Sequence, residues 1–333
     1  MSTRQRVWKY TLIIILVIGF NFCTSMLKAE DAESDLLNFV KAGVRNSEDL
    51  INNISFNYFV DYDVSSRWRE VKLAEIQERN SSKLPSGIEL RVPTLEHKLH
   101  TGSALFEGSK FNIKRKQISS SDQEIFEDEI VVSDGLILTE LKLKENHGYL
   151  SNSINARRAD LMFDPRNFPL LFLDGKSLSS ALMDTNTTCV LTGSEEIQGA
   201  MCHVIEMLMT FETPGEGQKQ VKRKCWIAPD KGFLIKKGIS FQVDAPDKIF
   251  STVECNLKEI AGGLWYYSDV TFQSFPMSTQ EPDVFAALGL SDIVINQDLG
   301  DEAFVADISK VQTIYDTIAE IQYNTKTPLP EVE

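Results

Sequence analysis

From residue 54 onward, the sequence repeats one pattern: short segments in which apolar and polar residues alternate, separated by pairs of turn-forming residues. Alternation with a period of two is typical of a β-strand that buries one face, and residues 54–62 show it with an aliphatic or aromatic residue at every second position. Turn pairs such as Glu107-Gly108 and Asp134-Gly135 favour tight hairpins. Because no repeat of fixed length accompanies the pattern, we predict one curved antiparallel sheet rather than a solenoid or a propeller.

Turn-forming residues divide the chain into predicted strands and helices. Strands are expected over residues 54–62, 96–107, 110–118, 124–133, 136–144, 189–192, 200–212, 218–228, 233–243, 248–259, 263–275 and 293–297. Helices are expected over residues 34–45, 177–183 and 308–321, and a charged insertion over 67–80. The fold class is therefore α+β and mainly β, with the sheet covered by helices that lie near the two ends of the chain.

The first 29 residues carry the order of a secretory signal. Arg4, Arg6 and Lys9 precede an apolar run over residues 11–20, and small and polar residues follow up to Ala29. This order predicts an exported protein, periplasmic or secreted. Because Leu27 stands where signal cleavage prefers a small residue, an inner-membrane anchor that is never cleaved is the alternative. We then expect a curved-sheet domain over residues 30–277 and a C-terminal extension with a helix over residues 278–333.

Charge and cysteine content limit the function classes. The formal net charge is −14, which repels phosphate backbones, so no nucleic-acid partner is predicted. Beyond residue 29 the chain has four cysteines, an even count that predicts disulfides in an exported protein. The preferred pairs are Cys189 with Cys202, which would flank one hairpin, and Cys225 with Cys255; four buried free thiols are the alternative. No two cysteines have the close spacing of a zinc site.

The sequence lacks the recurrent motifs of enzymes. It has no G-x-S-x-G, H-E-x-x-H, P-loop or G-x-G-x-x-G pattern. His97 and His100 lie three residues apart in a predicted strand and would point to opposite faces. No catalytic residue, metal ligand or cofactor is therefore predicted. A non-enzymatic protein is expected, and a hydrolase is the weakest of the functional readings.

One predicted strand has an unusual apolar face. In residues 203–211, Ile205, Met207 and Met209 would share a face. Methionine is flexible and polarisable, and it suits surfaces that adapt to varied apolar ligands. The face is either one wall of a hydrophobic cavity or an ordinary part of the core, and on this strand alone the core is favoured.

Several segments resemble the LolA/LolB-like superfamily, which includes outer-membrane lipoprotein-sorting proteins. They are Cys225-Trp-Ile-Ala-Pro-Asp-Lys-Gly-Phe-Leu-Ile-Lys-Lys237, Lys258-Glu-Ile-Ala-Gly-Gly-Leu-Trp-Tyr-Tyr267, Val270-Thr-Phe272 and Ile130-Val-Val-Ser-Asp-Gly-Leu136. The resemblance spans residues 37–275. It implies a half-open antiparallel barrel closed by helices, with an apolar cavity that holds acyl chains. This chain differs in its greater length, its lack of a lipobox, its insertion over 67–80 and its acidic tail, and no cargo-contacting residue of the family can be placed on it.

Together these observations predict non-enzymatic binding or carriage of a lipid or lipoprotein acyl chain in the cell envelope. The predicted cavity residues are Ile205, Met207, Met209, Trp226, Phe233, Ile235 and Trp265, and the predicted lid is the first helix through Leu36, Leu37 and Val40. A slip of one residue in strand register would invert these faces. The alternative is a structural or interaction module of the envelope with a filled core. The sequence does not identify a protein partner.

Overall fold

A computed structural model describes residues 33–67, 70, 97–118, 125–152, 173, 176–213, 217–243, 245–275 and 282–326. Over these residues, fifteen strands form a single sheet. The strands are β1 (Asn53–Val64), β2 (Lys98–Glu107), β3 (Lys110–Ile118), β4 (Ile125–Ser133), β5 (Ile137–Lys142), β6 (His147–Asn152), β7 (Thr187–Ile197), β8 (Ala200–Thr213), β9 (Gly217–Ala228), β10 (Leu234–Gln242), β11 (Ala245–Glu259), β12 (Trp265–Ser274), β13 (Val284–Ile295), β14 (Thr313–Asp316) and β15 (Ile321–Asn324). Helix α1 covers residues 33–49 and helix α2 covers Leu178–Met183, and residues 66, 67 and 70 are also helical.

The sheet has the strand order β15-β14-β6-β5-β4-β3-β2-β1-β13-β12-β11-β10-β9-β8-β7. Its neighbouring strands are antiparallel, except that β14 runs parallel to β6. Strand β13 lies between β1 and β12, with Ile54 opposite Ile295. The mainly antiparallel sheet is thus confirmed. Hydrogen bonds between the described residues do not close it into a barrel, because β7 and β15 each pair on one side.

The two faces of the sheet are set by the alternation in β1. Its even-numbered residues from Ile54 to Val64 are buried, in one cluster with Val40 and Val44 of α1. We call this side, on which α1 packs, the helix face, and the opposite side the outer face. The central strand therefore presents aromatic and branched side chains to α1, as its sequence pattern predicts.

Most predicted elements are found with small changes at their ends. Helix α1 is longer than the predicted 34–45, and α2 begins one residue after Ser177, whose side chain accepts from the Ser180 N–H as an N-cap. Strand β6 is not among the predicted strands, of which the nearest ends at residue 144. Strand β7 was predicted only over residues 189–192, whereas it runs on to Ile197.

The helix predicted over residues 308–321 is wrong. Ile308–Lys310 form a single 3₁₀ turn, and β14 and β15 form a hairpin that extends the sheet beyond β6. The Asp316 carboxylate accepts the N–H groups of Ile318 and Ala319, both at 2.9 Å, and so closes the turn between the two strands. Ile314 is buried in a cluster on the outer face. The predicted division after residue 277 stays a prediction, although β13, which follows it, lies in the middle of the sheet.

The predicted disulfides are also wrong, because all four cysteines are free. Cys189 packs against the core of the helix face, whereas Cys202 is buried on the outer face, so the sheet separates the two thiols. Cys225 lies on β9 and Cys255 on β11, with β10 between them. Two strand spacings amount to about 9.6 Å, which is more than the roughly 7 Å between Cα atoms that a disulfide can span.

The predictions on the N-terminal 29 residues lie outside the described residues, and so does most of the charged insertion over 67–80. Among the helices that the structure describes, none has the length and apolar character needed to cross a membrane.

Candidate ligand cleft

An apolar cleft of about 510 Å³ opens at one end of the helix face. It lies between the C-terminal half of α1, the start of α2, the β2–β3 turn, the β9–β10 turn and the first residues of β12. The residues that line it are Val44, Ser47, Glu48, Asp49, Ile51, Asn52, Ile54, Phe106, Gly108, Ser177, Leu178, Gly232, Phe233, Leu234, Trp265, Tyr266 and Tyr267. Aliphatic and aromatic side chains dominate this set, as in pockets that bury apolar ligands.

The β9–β10 turn aims Phe233 at α1. A 3₁₀ turn at Pro229–Lys231 is followed by Gly232 and Phe233, both in the left-handed region with φ of 69° and 56°. Few residues other than glycine adopt this conformation, so the surrounding structure must hold Phe233 in it. The Phe233 ring lies edge-on to Phe39, with 5.4 Å between centroids, and it reaches the backbone of α1 at Gly43.

The start of β12 supplies a row of aromatic residues to the cleft. The rings of Tyr266 and Tyr267 meet edge to face at 5.5 Å. The Ile235 N–H donates to the Tyr267 hydroxyl oxygen at 3.4 Å, which fixes that side chain across the neighbouring strand. Burial raises the pKa of Tyr267 well above its usual value, so the hydroxyl stays neutral. The ammonium group of Lys231 lies 3.8 Å from the ring centroid of Trp265.

A carboxylate joins the two helices at the rim of the cleft. Glu48 of α1 accepts the Ser179 N–H at 3.1 Å and also the Ser179 hydroxyl, which belong to α2. Hydrogen bonds to a charged group are among the stronger ones in proteins. The contact therefore holds the two helices together beside the cleft.

The structure places the seven predicted cavity residues in three locations: the cleft, the core of the helix face and the outer face. Phe233 and Trp265 line the cleft. Ile205, Met207, Met209 and Ile235 lie on the same face, but they are at most 1% exposed and belong to the filled core. The lid residues also pack on this core, with Val40 fully buried and Leu36 and Leu37 partly so.

Trp226 is not brought together with the other six. Its neighbours Cys225 and Ile227 are buried on the helix face, so alternation places Trp226 on the outer face, in a cluster with Cys202 and Val204. Its indole N–H donates to Glu195 at 2.8 Å. The face to which a side chain points depends on strand register. The sequence therefore did not determine which side chains of different strands lie together.

Several cleft residues were missed by the sequence reasoning. Val44 comes from α1, Ile51 from the segment after it and Leu178 from α2, while Phe106 lies near the end of β2. Tyr266 and Tyr267 stand inside a segment that carried the family resemblance, directly after Trp265. Their position next to Trp265, a predicted cavity residue, is the sequence signal that could have identified them.

On the helix face over β2 to β5, charged side chains pair with one another beside the apolar core. Glu129 is buried and pairs with Arg115, and the ammonium group of Lys142 lies 4.0 Å from it. His100 is buried nearby, and burial, together with the charges of Arg115 and Lys98, lowers its pKa to about 3. Within the described ranges, no group of three or more His, Cys, Asp or Glu side chains is placed to hold a metal ion.

The fold and cleft define a mainly β protein whose single large sheet carries an apolar site under a helix. No protein-family model matches the sequence. No curated protein matches it either.

Solved structures do show similarity over most of the chain. A DUF1329 family protein from Desulfovibrio piger has a TM-score of 0.47 at 12% identity, with 83% of this chain and 99% of that chain covered. A domain of a proposed outer membrane lipoprotein-sorting protein from Vibrio parahaemolyticus has a TM-score of 0.43 at 10% identity, covering 81% and 97%. A LolA superfamily protein from Nitrosomonas europaea has a TM-score of 0.37 at 13% identity, covering 79% and 96%. LolA-superfamily structures are thus among those similar to this chain, as the sequence resemblance predicted.

Proposed function

We propose that this protein binds the apolar chain of an amphiphile, such as a lipid or the acyl chain of a lipoprotein, in the cleft beside α1. The observation that carries the proposal is the cleft itself, about 510 Å³ in volume and lined mainly by aliphatic and aromatic side chains. Sites for small ligands have volumes of about 300 to 1,000 Å³. Each methylene group removed from water contributes about 0.8 kcal/mol, so a single chain binds with little polar recognition.

The proposed role is carriage or sensing without chemistry on the ligand. Helix α1 forms one wall of the cleft through Val44 and packs on the core through Val40, which supports its role as a lid. The order of basic and apolar residues in the first 29 positions supports action in the cell envelope.

A structural or interaction module is the second candidate. The observation in its favour is that Ile205, Met207, Met209 and Ile235 fill the core instead of lining a cavity. Under this reading the cleft is a surface depression without a ligand.

Binding of N-phenyl-1-naphthylamine, a neutral apolar dye, separates the two candidates. We expect saturable fluorescence enhancement in the wild type. Ser47→Trp fills the cleft from α1 and is expected to weaken dye affinity at least tenfold. Asn46→Trp is the matched control, since Asn46 is the exposed preceding residue of the same helix and does not line the cleft. No saturable binding, or equal affinity in the two variants, would favour the module.

A further inference from the structure

The charged side chains that line the cleft are both acidic. They are Glu48 and Asp49, at the C-terminal end of α1, and the rest of the described lining is apolar, aromatic or neutral polar. The whole chain carries a net charge of −14. A ligand that enters this cleft therefore meets negative potential at the rim as well as from the protein as a whole.

Two cations of the described residues close to the cleft, Arg45 and Lys231, lie beside acids. Arg45 lies 3.9 Å from Asp49, and both side chains are largely exposed, so the pair is weak and screened. Lys231 stacks on Trp265 and lies 3.7 Å from Asp230. These two pairs leave Glu48 as the charge that sets the sign of the rim.

Glu48 is held with its carboxylate at the cleft. The backbone N–H and the hydroxyl of Ser179 bind its two oxygens, so the group does not swing away into solvent. Its charge also reaches the aromatic wall: burial is the main cause of the raised pKa of Tyr267, and Glu48 adds to that shift. Because the Ser179 contacts keep the carboxylate at the rim of a mainly apolar cleft, a second anion there would be repelled in surroundings less polar than water.

We propose that the cleft selects amphiphiles whose polar end is neutral or cationic and rejects those that end in a carboxylate or phosphate. The inference rests on the proposed function and narrows its ligand class. Apolar chain length then sets the affinity, while Glu48 sets the preference for the polar end.

Three ligands with the same ten-carbon chain test this selectivity. Decanol, decylammonium and decanoate are titrated calorimetrically into the wild-type protein at pH 7.5 in low salt. We expect decanol and decylammonium to bind about tenfold more tightly than decanoate. Raising the salt concentration is expected to strengthen decanoate binding and to leave decanol binding unchanged, since screening acts on charges alone.

Glu48→Gln keeps an oxygen that accepts from the Ser179 N–H and removes the charge. We expect it to raise decanoate affinity about tenfold and to change decanol affinity less than twofold. Glu302→Gln is the control, since Glu302 is exposed beside Asp301, which pairs with Lys110 away from the cleft. If Glu48→Gln does not fold, the salt series on the wild type decides alone.

The outcomes separate this inference from the proposed function. If decanoate binds as tightly as decanol in the wild type, the selectivity is overturned while the cleft remains a binding site. If none of the three ligands binds, the proposed function falls and the selectivity falls with it.

Discussion

The ring of Phe233 lies against the backbone of α1 at Gly43. A Cβ atom on residue 43 would lie 2.6 Å from Cε2 of the ring, and closer still to Cζ and Cε1. The close approach is possible because glycine has no side chain and because the left-handed turn at Gly232 and Phe233 points the ring at the helix. Phe233 also lines the cleft, so this contact ties a cleft residue of the β9–β10 turn to α1.

Gly43→Ala is therefore expected to destabilise the protein, although alanine normally favours a helix over glycine by about 1 kcal/mol. The new methyl group overlaps the ring, and a packing clash of this kind costs about 1–3 kcal/mol. In a Phe233→Ala background the clash is absent, so the same Gly43→Ala change is expected to stabilise. Urea unfolding of the four variants measures the coupling, and an effect of the same sign in both backgrounds would contradict it.

Ser179→Ala is expected to lower the free energy of unfolding by about 1.5–3 kcal/mol, because it removes a hydroxyl that donates to the Glu48 carboxylate. Ser180→Ala is the matched control on the same short helix, since the Ser180 side chain is exposed and bonds only locally to Ser177 among its described partners. Denaturant midpoints of the two variants provide the comparison. Equal losses would show that the contact between α1 and α2 does not stabilise the fold.

The alternation in β1 was sufficient to predict both its strand and its buried face, because the period of two is a local property of the sequence. The face on which Trp226 lies could not be predicted in the same way, because it depends on the register between strands. The β9–β10 pair contains an irregularity between Ile235 and Lys237, and the residues of β10 beyond it point to the opposite face from the one that simple alternation predicts. The cleft could not be predicted from local sequence patterns either, because Val44, Phe106 and Trp265, which line it, belong to elements far apart in the chain.

Met207→Ala tests whether the methionine face of β8 is core or cavity wall. Met207 is fully buried, so its truncation is expected to cost about 2–5 kcal/mol, as for other large-to-small changes in a packed core. Met201 is the second residue of the same strand and is 55% exposed, so Met201→Ala is expected to change stability by less than about 0.5 kcal/mol. A small loss at Met207, measured by urea unfolding, would indicate a loosely packed wall instead.

The four cysteines between residues 189 and 255 are expected to remain as thiols that react slowly in the native protein. Burial raises the pKa of Cys225 to about 12 and also raises that of Cys255, so little thiolate is present at pH 8. We expect all four to be alkylated in urea without a reductant and Cys225 and Cys255 to be protected without urea. Mass spectrometry of the alkylated protein counts the modified sites. Alkylation that requires prior reduction would show that disulfides form after all.

Acid is expected to destabilise the fold through His100. In the folded state its pKa is lowered to about 3, whereas in the unfolded chain it is close to the usual 6.5. Between these values the unfolded state binds a proton that the folded state does not, so the contribution to stability is present above pH 6.5 and is lost as the pH falls. The slope approaches about 1.4 kcal/mol per pH unit for one such group.

His100→Gln removes this titration, so its free energy of unfolding is expected to depend less on pH than that of the wild type between pH 6.5 and 4. His97→Gln is the control, because His97 begins the same segment but is half exposed beside Asp61, at 2.9 Å. Urea unfolding at several pH values gives the two slopes. If His100→Gln and the wild type lose stability in parallel, the acid sensitivity has another origin, and the burial of a neutral imidazole next to Arg115 does not govern it.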